Sequence, residues 1–230
     1  MNAIIVIPTY NEKDNIEPLI NEIFKVTPDI KILIVDDNSP DGTGRIADEL
    51  SKKYERVKVL HREKKEGLGK AYIMGFKESL KMNPDYIIQM DADFSHHPKY
   101  IPIFLQAIKT SDIVIGSRFL NVKRPLNVSI FSICANYYVR RILNIKVSDA
   151  LGGFKCISRN ALQEIELDKF ISRGFIFQAE FLYRALQKGF SLGEIPIIFS
   201  TRRFGTSKKS KKIILEALFK TVLFRLGSSF

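Results

Sequence analysis

Two aspartates spaced two residues apart, Asp91 and Asp93, are the side chains of this chain best suited to hold a divalent cation. They follow the apolar run Tyr86–Met90, so both carboxylates are predicted to lie at the end of a buried strand. Two carboxylates this close repel each other unless a cation lies near them, and hard oxygen ligands favour Mg²⁺ or Mn²⁺, which can also bridge a diphosphate. The alternative is a solvated acidic loop. The adjacent His96 and His97 lack the ligand spacing of a zinc site, so we interpret them as loop or helix-start residues.

Cationic side chains that suit phosphate oxygens occur at two places. Arg118 follows the predicted strand Asp112–Ile115, and Arg202 and Lys208 lie in a glycine-containing basic loop near the C-terminal end. Arginine binds phosphate as a bidentate fork and lysine binds it as a point charge. This composition therefore predicts a phosphorylated ligand, with a solvated basic tail as the alternative.

Polar side chains also follow the predicted strand Lys31–Val35. Asp36 and Asp37 could accept hydrogen bonds from a nucleobase or a ribose hydroxyl, although the same composition suits an ordinary turn. Gln178 and Glu180, near the start of a predicted helix, are either active-site polar groups or ordinary helix residues. The glycine-spaced dinucleotide fingerprint, the P-loop and the Gly-x-Ser-x-Gly elbow are all absent from the sequence. Their absence disfavours dehydrogenases, P-loop phosphotransferases and the common serine hydrolases.

The elements that must position these residues alternate in type along the first half of the chain. Short Ile/Val-rich runs predict strands at Ala3–Ile7, Lys31–Val35, Val57–Leu60, Tyr86–Met90 and Asp112–Ile115, and helices are predicted at Glu12–Lys25, Thr43–Tyr54, Gly69–Lys81 and Pro98–Lys109. Pro8 is predicted to end the first strand. Strands separated by helices favour an α/β fold with a mostly parallel central sheet flanked by helices, in which ligands bind beyond the carboxyl ends of the strands. The second half is predicted to contain helices at Asn127–Leu143 and Phe175–Lys188, a strand at Glu194–Ser200 and an amphipathic helix at Lys211–Leu226.

The charge of the chain is strongly positive and uneven. The 230 residues have a formal net charge of +11, with 45% hydrophobic and 27% charged residues, which is typical of a globular protein. The last thirty residues contain eight basic residues and one acid, Glu216, which suits nucleic acid, an anionic membrane surface or a phosphorylated substrate. No zinc-finger, basic-zipper or RNA-binding aromatic motif occurs, so nucleic acid is the least favoured of the three. Two cysteines, without a leader or a long apolar run, suggest a cytosolic protein with no spanning segment.

Seven short motifs, taken in order, resemble those of the dolichyl-phosphate (polyprenyl-phosphate) mannose synthases of glycosyltransferase family 2. The motifs span nearly the entire chain and are PTYNE (8–12), VDDNSPDGT (35–43), GLGKAY (67–72), MDADFSHHP (90–98), GSR (116–118), GFIFQAE (174–180) and RRFGTSK (202–208). The resemblance implies the GT-A (Rossmann-like) fold and an inverting, metal-dependent transfer of mannose from GDP-mannose to a polyprenyl or dolichyl phosphate. The alternative is the same reaction with UDP-glucose or another nucleotide sugar.

The resemblance also implies residue roles. The nucleoside of the donor would be held by Pro8, Tyr10, Glu12, Val35 and Asp37. The metal-and-diphosphate motif would be Asp91, Ala92 and Asp93, with Ser95 as a weak or water-mediated metal ligand where relatives often have Gln. Donor diphosphate and acceptor phosphate would be neutralised by Arg118, Arg202 and Lys208, which, with Asp91 and Asp93, form the implied catalytic set. Where relatives often read Ser-Gly-Phe, this chain has Gly152-Gly153-Phe154.

A GT-A catalytic domain is therefore expected over residues 1–210, with residues 211–230 forming a basic amphipathic helix that is part of it or docked on it. A lipid acceptor keeps its tail in the bilayer, so we expect the protein to be peripheral on the cytoplasmic face of a membrane. The expected partners are an anionic membrane surface and, as a further possibility, a membrane-spanning subunit.

Overall fold

Within the residues that the computed structural model describes (2–120, 128–198 and 219–225), seven strands form one mixed sheet. The strands are β1 (Ala3–Thr9), β2 (Lys31–Asp36), β3 (Val57–His61), β4 (Tyr86–Gln89), β5 (Ile113–Ser117), β6 (Lys155–Ser158) and β7 (Leu192–Pro196). The helices are α1 (Ile16–Val26), α2 (Thr43–Lys53), α3 (Leu68–Lys81), α4 (Ile101–Ala107), α5 (Ile130–Leu143), α6 (Arg159–Glu164) and α7 (Phe177–Gln187). Short 3-10 helices lie at Pro98–Tyr100, Ile108–Thr110 and Leu167–Lys169.

The strand order is β3-β2-β1-β4-β6-β5-β7, and of these seven described strands only β6 runs against its neighbours. β1 pairs in parallel with β2 and β4, and β5 pairs in parallel with β7. Helices cover both faces of the sheet, as βαβ connections require. The predicted α/β fold with a mostly parallel sheet is confirmed.

Alternating side chains of the strands feed two apolar clusters, one on each face. On β1, Ile4 and Val6 pack in the first cluster with α3 and α7, and Ile5 and Ile7 pack in the second with α1 and α4. Helix α3 lies very close to the sheet, because a Cβ at Gly75 would come within 2.5 Å of Val6. This close packing fixes α3, which carries a residue of the site described below.

Several predicted boundaries are wrong for local reasons. β1 continues through Pro8, which lies opposite Val35 in the parallel ladder, so proline does not end this strand. Helix α1 starts at Ile16 instead of Glu12, because Asn11 adopts a left-handed conformation (φ 61°) and the following residues form turns. The segment from Pro98 divides into a 3-10 turn, α4 and a second 3-10 turn, and β7 ends at Pro196.

β6 and α6 were not predicted. β6 has four residues and begins with a lysine, so it lacks the continuous apolar run of the other inner strands. Pairing with β4 on one side and β5 on the other defines it as a strand, and this long-range pairing overrides its weak local pattern.

Only residues 219–225 of the predicted C-terminal helix are described, and these are helical. Phe224 is buried in the first apolar cluster, and Lys220 Nζ donates to the carbonyl oxygen of Ile171 at 2.7 Å. Val222 is exposed. The two-segment division at residue 210 stays a prediction. Among the described residues, no helix is long and apolar enough to cross a membrane.

Candidate active site

The carboxyl ends of the parallel strands bring the predicted polar residues to one edge of the sheet. β2 leads into Asp37, β4 into Asp91 and Asp93, and β5 into Arg118. β6 runs in the opposite direction, so its first residue, Lys155, also lies at this edge, opposite Gln89 of β4. Acids and cations from distant parts of the sequence therefore share one crevice, as expected for an open α/β sheet.

The acidic pair lies in a tight turn directly after β4. Asp91 is partly open, with 32% of its side chain exposed, and Asp93 is buried. The backbone N–H of Ser95 donates to Asp93 Oδ1 at 3.0 Å, and the intervening Phe94 takes a left-handed conformation (φ 63°) that tightens the turn. This turn fixes the direction of the Asp93 carboxylate.

A buried tyrosine holds the other acid. The hydroxyl of Tyr72, on α3, donates to Asp91 Oδ1 at 2.7 Å. Burial raises the pKa of Tyr72 well above its ordinary value, and the charge of Asp91 adds to this, so the hydroxyl remains a donor. The Tyr72 ring is stacked on Phe177, with centroids 6.0 Å apart and planes within 5°.

His96 stabilises the same turn through a hydrogen bond to its backbone. Its Nδ1 accepts a hydrogen bond from the Asp91 backbone N–H at 3.0 Å, and its ring stacks on Phe154 at 4.9 Å. Burial lowers the pKa of His96, which favours the neutral ring. Because Nδ1 is the acceptor, the proton of the neutral ring is on Nε2, which lies 3.9 Å from Asp91 Oδ2. A Cβ at Gly153 would lie 3.0 Å from His96 Cε1, so the turn and the glycine pair are closely packed. His97 instead caps the following 3-10 helix, as predicted for a helix-start residue.

The donor set suits a hard divalent cation. Asp91 and Asp93 offer carboxylate oxygens and Ser95 offers a hydroxyl, which are the ligands that Mg²⁺ and Mn²⁺ prefer. Within the described ranges, no group of three His, Cys, Asp or Glu side chains forms a complete metal cage. A site of this kind leaves coordination positions to water and to substrate oxygens, as Mg²⁺ sites in nucleotide enzymes commonly do.

Arg118 lies at the predicted edge but is engaged in an ion pair. Its Nε and Nη2 donate to the two carboxylate oxygens of buried Asp149 at 2.7 and 2.8 Å. Burial alone would lower the pKa of Arg118, but the hydrogen bonds and charge of Asp149 outweigh it and raise the pKa. Asp149 is held in turn, because its backbone N–H donates to Glu194. Arg118 is therefore a fixed positive charge in the crevice.

The residues implied to hold a nucleoside lie after β1 and β2. Asp37 is buried and ion-paired with Arg62, and its backbone N–H donates to the Thr9 carbonyl. The Tyr10 ring lies at the surface under the ammonium of Lys65, whose Nζ is 3.7 Å from the ring centroid. The backbone N–H of Glu12 donates to the Thr43 hydroxyl at 2.9 Å.

Three of the implied residues have side chains with little access to a ligand. Val35 and Ala92 are buried in the apolar clusters, and Pro8 is partly buried in the ladder.

Of four further polar residues considered for the site, the structure describes Glu180 and Gln178. Glu180 is a structural clamp, because its carboxylate accepts from the backbone N–H groups of Ile171 and Ser172. Gln178 lies in the interior, where Gln89 Nε2 and Lys155 Nζ both donate to its Oε1. Arg202 and Lys208 lie outside the described residues, so their roles stay predictions.

Sequence reasoning missed Tyr72, Asp149 and Lys155, and it gave His96 no role at the site. A signal existed only for Tyr72, which belongs to the GLGKAY motif (67–72). The other contacts come from β6 and the loop before it. Since that strand was not predicted, no residue near it could be placed.

The family model for glycosyl transferase family 2 matches residues 4–166. This match includes most of the strands that form the acidic edge, and the chain belongs to this family. The fold is GT-A, as the resemblance implied.

Two curated relatives are similar to this chain over nearly its whole length. The chain is 40% identical over 224 residues to the polyprenol monophosphomannose synthase of Mycolicibacterium smegmatis, and the aligned region covers 95% of this chain and 84% of that protein. It is 36% identical over 232 residues to the undecaprenyl-phosphate mannosyltransferase of Micrococcus luteus, covering 99% and 96%. The family resemblance read from the motifs is therefore confirmed.

Solved structures share the fold at low sequence identity. One is glucosyl-3-phosphoglycerate synthase from Mycobacterium tuberculosis in complex with Mn²⁺, UDP and phosphoglyceric acid, with a TM-score of 0.71 and 17% identity, covering 98% of this chain and 78% of that one. Another is the same synthase with Mn²⁺ and UDP-glucose, with a TM-score of 0.68 and 19% identity, covering 98% and 79%.

Proposed function

We propose that this protein transfers mannose from GDP-mannose to a polyprenyl phosphate, such as dolichyl phosphate, and releases GDP. The observation that carries the proposal is the acidic edge of the sheet in a chain that is 36–40% identical, over nearly its whole length, to two enzymes named for polyprenyl-phosphate mannosylation. The supported role of the acids is to hold Mg²⁺ or Mn²⁺ with the donor diphosphate.

The proposed chemistry needs no strong enzyme base. The phosphate of the acceptor is already anionic at neutral pH, so its oxygen attacks the anomeric carbon while the bond to the diphosphate breaks. Asp91, Asp93 and Ser95 would hold the cation, which supplies charge stabilisation to the departing diphosphate. Arg118 presents a fixed charge to the same oxygens, and Arg202 and Lys208 are assigned the remaining phosphate contacts. One in-line displacement inverts the anomeric centre and gives a β-mannosyl phosphate lipid.

The substrate proposal is tested with purified protein, a panel of radiolabelled nucleotide sugars and a polyprenyl phosphate. We expect transfer from GDP-mannose with Mg²⁺ or Mn²⁺ and little transfer with excess chelator. Preferred transfer from UDP-glucose would move the proposal to another donor, and full activity in chelator would refute the metal.

The acid role is tested by Asp93→Asn, which keeps the shape but removes the charge. Loss of several kcal/mol of leaving-group stabilisation lowers the rate on the order of 100-fold or more. The matched control is Asp29→Asn, since Asp29 precedes β2, at the opposite edge of the sheet, and its side chain is 93% exposed. Equal rates in the two variants would refute the assignment.

We also propose that the protein meets its lipid acceptor at an anionic membrane surface, on the cytoplasmic face. The supporting feature is α5, which leaves Ile130, Phe131 and Tyr137 exposed, together with the basic residues of the C-terminal segment. Exposed apolar side chains and a basic sequence segment each suit binding to the interface of an anionic bilayer.

Co-sedimentation with vesicles tests the membrane proposal. We expect salt-sensitive binding to anionic vesicles, and the double change Ile130→Ser with Phe131→Ser should weaken it more than the control Ile103→Ser, which removes an exposed apolar side chain from α4. Replacement of Lys208, Lys209, Lys211 and Lys212 by Gln should also weaken it. Equal binding to neutral and anionic vesicles, or none at low salt, would favour a membrane-spanning partner subunit instead.

A further inference from the structure

Lys155 is a lysine without exposed surface in the interior of the protein, at the start of β6. Its Nζ donates to the carbonyl oxygen of Gly152 and to Gln178 Oε1. Both of these partners are neutral oxygens, whereas fully buried lysines are rare unless a carboxylate pairs with them. A methionine would fill the same space without the cost of burying a charge, so packing alone does not account for this residue.

The Lys155 ammonium is joined to the acidic edge by buried hydrogen bonds. Gln178 Oε1 accepts from Lys155 Nζ and from Gln89 Nε2. Gln89 is the last residue of β4, two positions before Asp91. These hydrogen bonds therefore link a buried cation to the strand that leads into the predicted metal ligands.

The same cation acts on the crevice through its charge. The charged groups that act on Lys155 are Asp149, Asp91 and Arg118, which come from the loop before β6 and from the ends of β4 and β5. In the interior of a protein, two charges interact more strongly than they do in water. A charge on Lys155 therefore changes the potential that an ion meets at the acidic pair.

We propose that Lys155 is a positioning residue of the transfer site, a buried counter-charge that favours the anionic diphosphate and restrains binding of a free divalent cation. The inference rests on the metal-and-diphosphate site in the proposed function and adds to it a residue that touches neither ligand. Removing the charge should change the affinities for a cation and an anion in opposite directions. A merely structural role predicts weaker binding of both.

The test measures two ligands separately at pH 6.5. The dissociation constant of Mn²⁺ alone is measured by electron paramagnetic resonance, and that of GDP alone by calorimetry in excess chelator. Lys155→Met removes the charge, and Gln178→Glu offsets it while keeping an acceptor for both Lys155 and Gln89. For both variants we expect Mn²⁺ to bind about threefold to tenfold more tightly and GDP to bind more weakly by a similar factor. The control Lys109→Met removes an exposed lysine before β5, at the opposite edge, and should change neither.

A pH series adds a second signature. Burial lowers the pKa of Lys155 to about 7, against the opposing charges of Asp149 and Asp91 and with the added effect of Arg118. The difference between wild type and Lys155→Met should therefore shrink at pH 8.5, where the wild-type lysine is neutral. Gln178→Glu supplies the same test of charge if Lys155→Met does not fold.

The outcomes separate this inference from the proposed function. Tighter Mn²⁺ binding with weaker GDP binding supports the counter-charge. Unchanged affinities, or weaker binding of both ligands by folded variants, overturn it while leaving the metal site in place. If the wild type binds no Mn²⁺, with or without GDP, the metal role in the proposed function fails and this inference fails with it.

Discussion

Replacing Tyr72 by phenylalanine should weaken the metal site without unfolding the protein. The change removes one hydroxyl, which donates to Asp91 Oδ1 at 2.7 Å, and leaves the ring in place. The ring stays packed between Phe76 and Phe177, with centroids 5.7 and 6.0 Å away. The variant therefore isolates the hydrogen bond that orients the carboxylate.

The size of the effect follows from the environment of Asp91. A hydrogen bond to a charged group contributes about 1.5–3 kcal/mol when its partner is buried. The Asp91 side chain is 32% exposed, so water replaces part of the lost donor and the lower end of that range applies. A loss of about 1.5 kcal/mol corresponds to a reduction of slightly more than tenfold in kcat/KM. The free energy of unfolding should fall by about the same amount and no more, because the ring contacts are kept.

The assay compares kcat/KM and the Mn²⁺ concentration for half-maximal transfer in wild type and Tyr72→Phe. The matched control is Tyr86→Phe, since Tyr86 starts the same strand, β4, at the edge away from Asp91. A urea titration of each protein measures stability. Wild-type kinetics with Tyr72→Phe, or a stability loss large enough to account for the missing activity, would refute an orienting role.

Three further changes probe the supports of the site. Gly153→Ala places a Cβ 3.0 Å from His96 Cε1, and because this ring is buried, the Asp91 turn must shift. We expect the activity to fall about tenfold and the free energy of unfolding to fall by roughly 1 kcal/mol, whereas unchanged activity would show that the turn tolerates the contact. Asp149→Asn leaves Arg118 without its charged partner and should reduce the free energy of unfolding by about 3 kcal/mol in urea titration, whereas a change below about 1 kcal/mol would contradict a structural ion pair. Lys155 binds its proton more weakly in the folded state, so the stability of wild type relative to Lys155→Met should rise with pH from about 7 towards 10; a flat difference would show that the pKa of Lys155 is not lowered.

The acids and the parallel strands could be predicted because local pattern is enough to define them. Asp91 and Asp93 follow a short apolar run, and the parallel strands that end beside them have similar runs separated by helices. In a parallel sheet these ends meet at one edge, so strand order was not needed to group Asp37, Asp91 and Arg118. The ion pair of Arg118 could not be predicted, because its partner Asp149 lies 31 residues further along in a loop without a recognisable pattern.

The residues that surround and position the acids depend instead on the antiparallel strand β6. β6 enters the sheet between β4 and β5, and its antiparallel direction places its first residue, rather than its last, at the acidic edge. Lys155 consequently lies opposite Gln89, next to residues that are more than sixty positions away in sequence. A short strand with a polar first residue gives no periodic signal, so a lysine that looks ordinary in the sequence becomes buried where the charges of Asp149 and Asp91 act on it. The reversal also brings Gly153, which precedes the strand, against His96, and this contact tolerates no larger side chain without movement. The residues that set the charge and shape of the site are thus determined by strand pairing, whereas those offered as ligands are marked by local sequence.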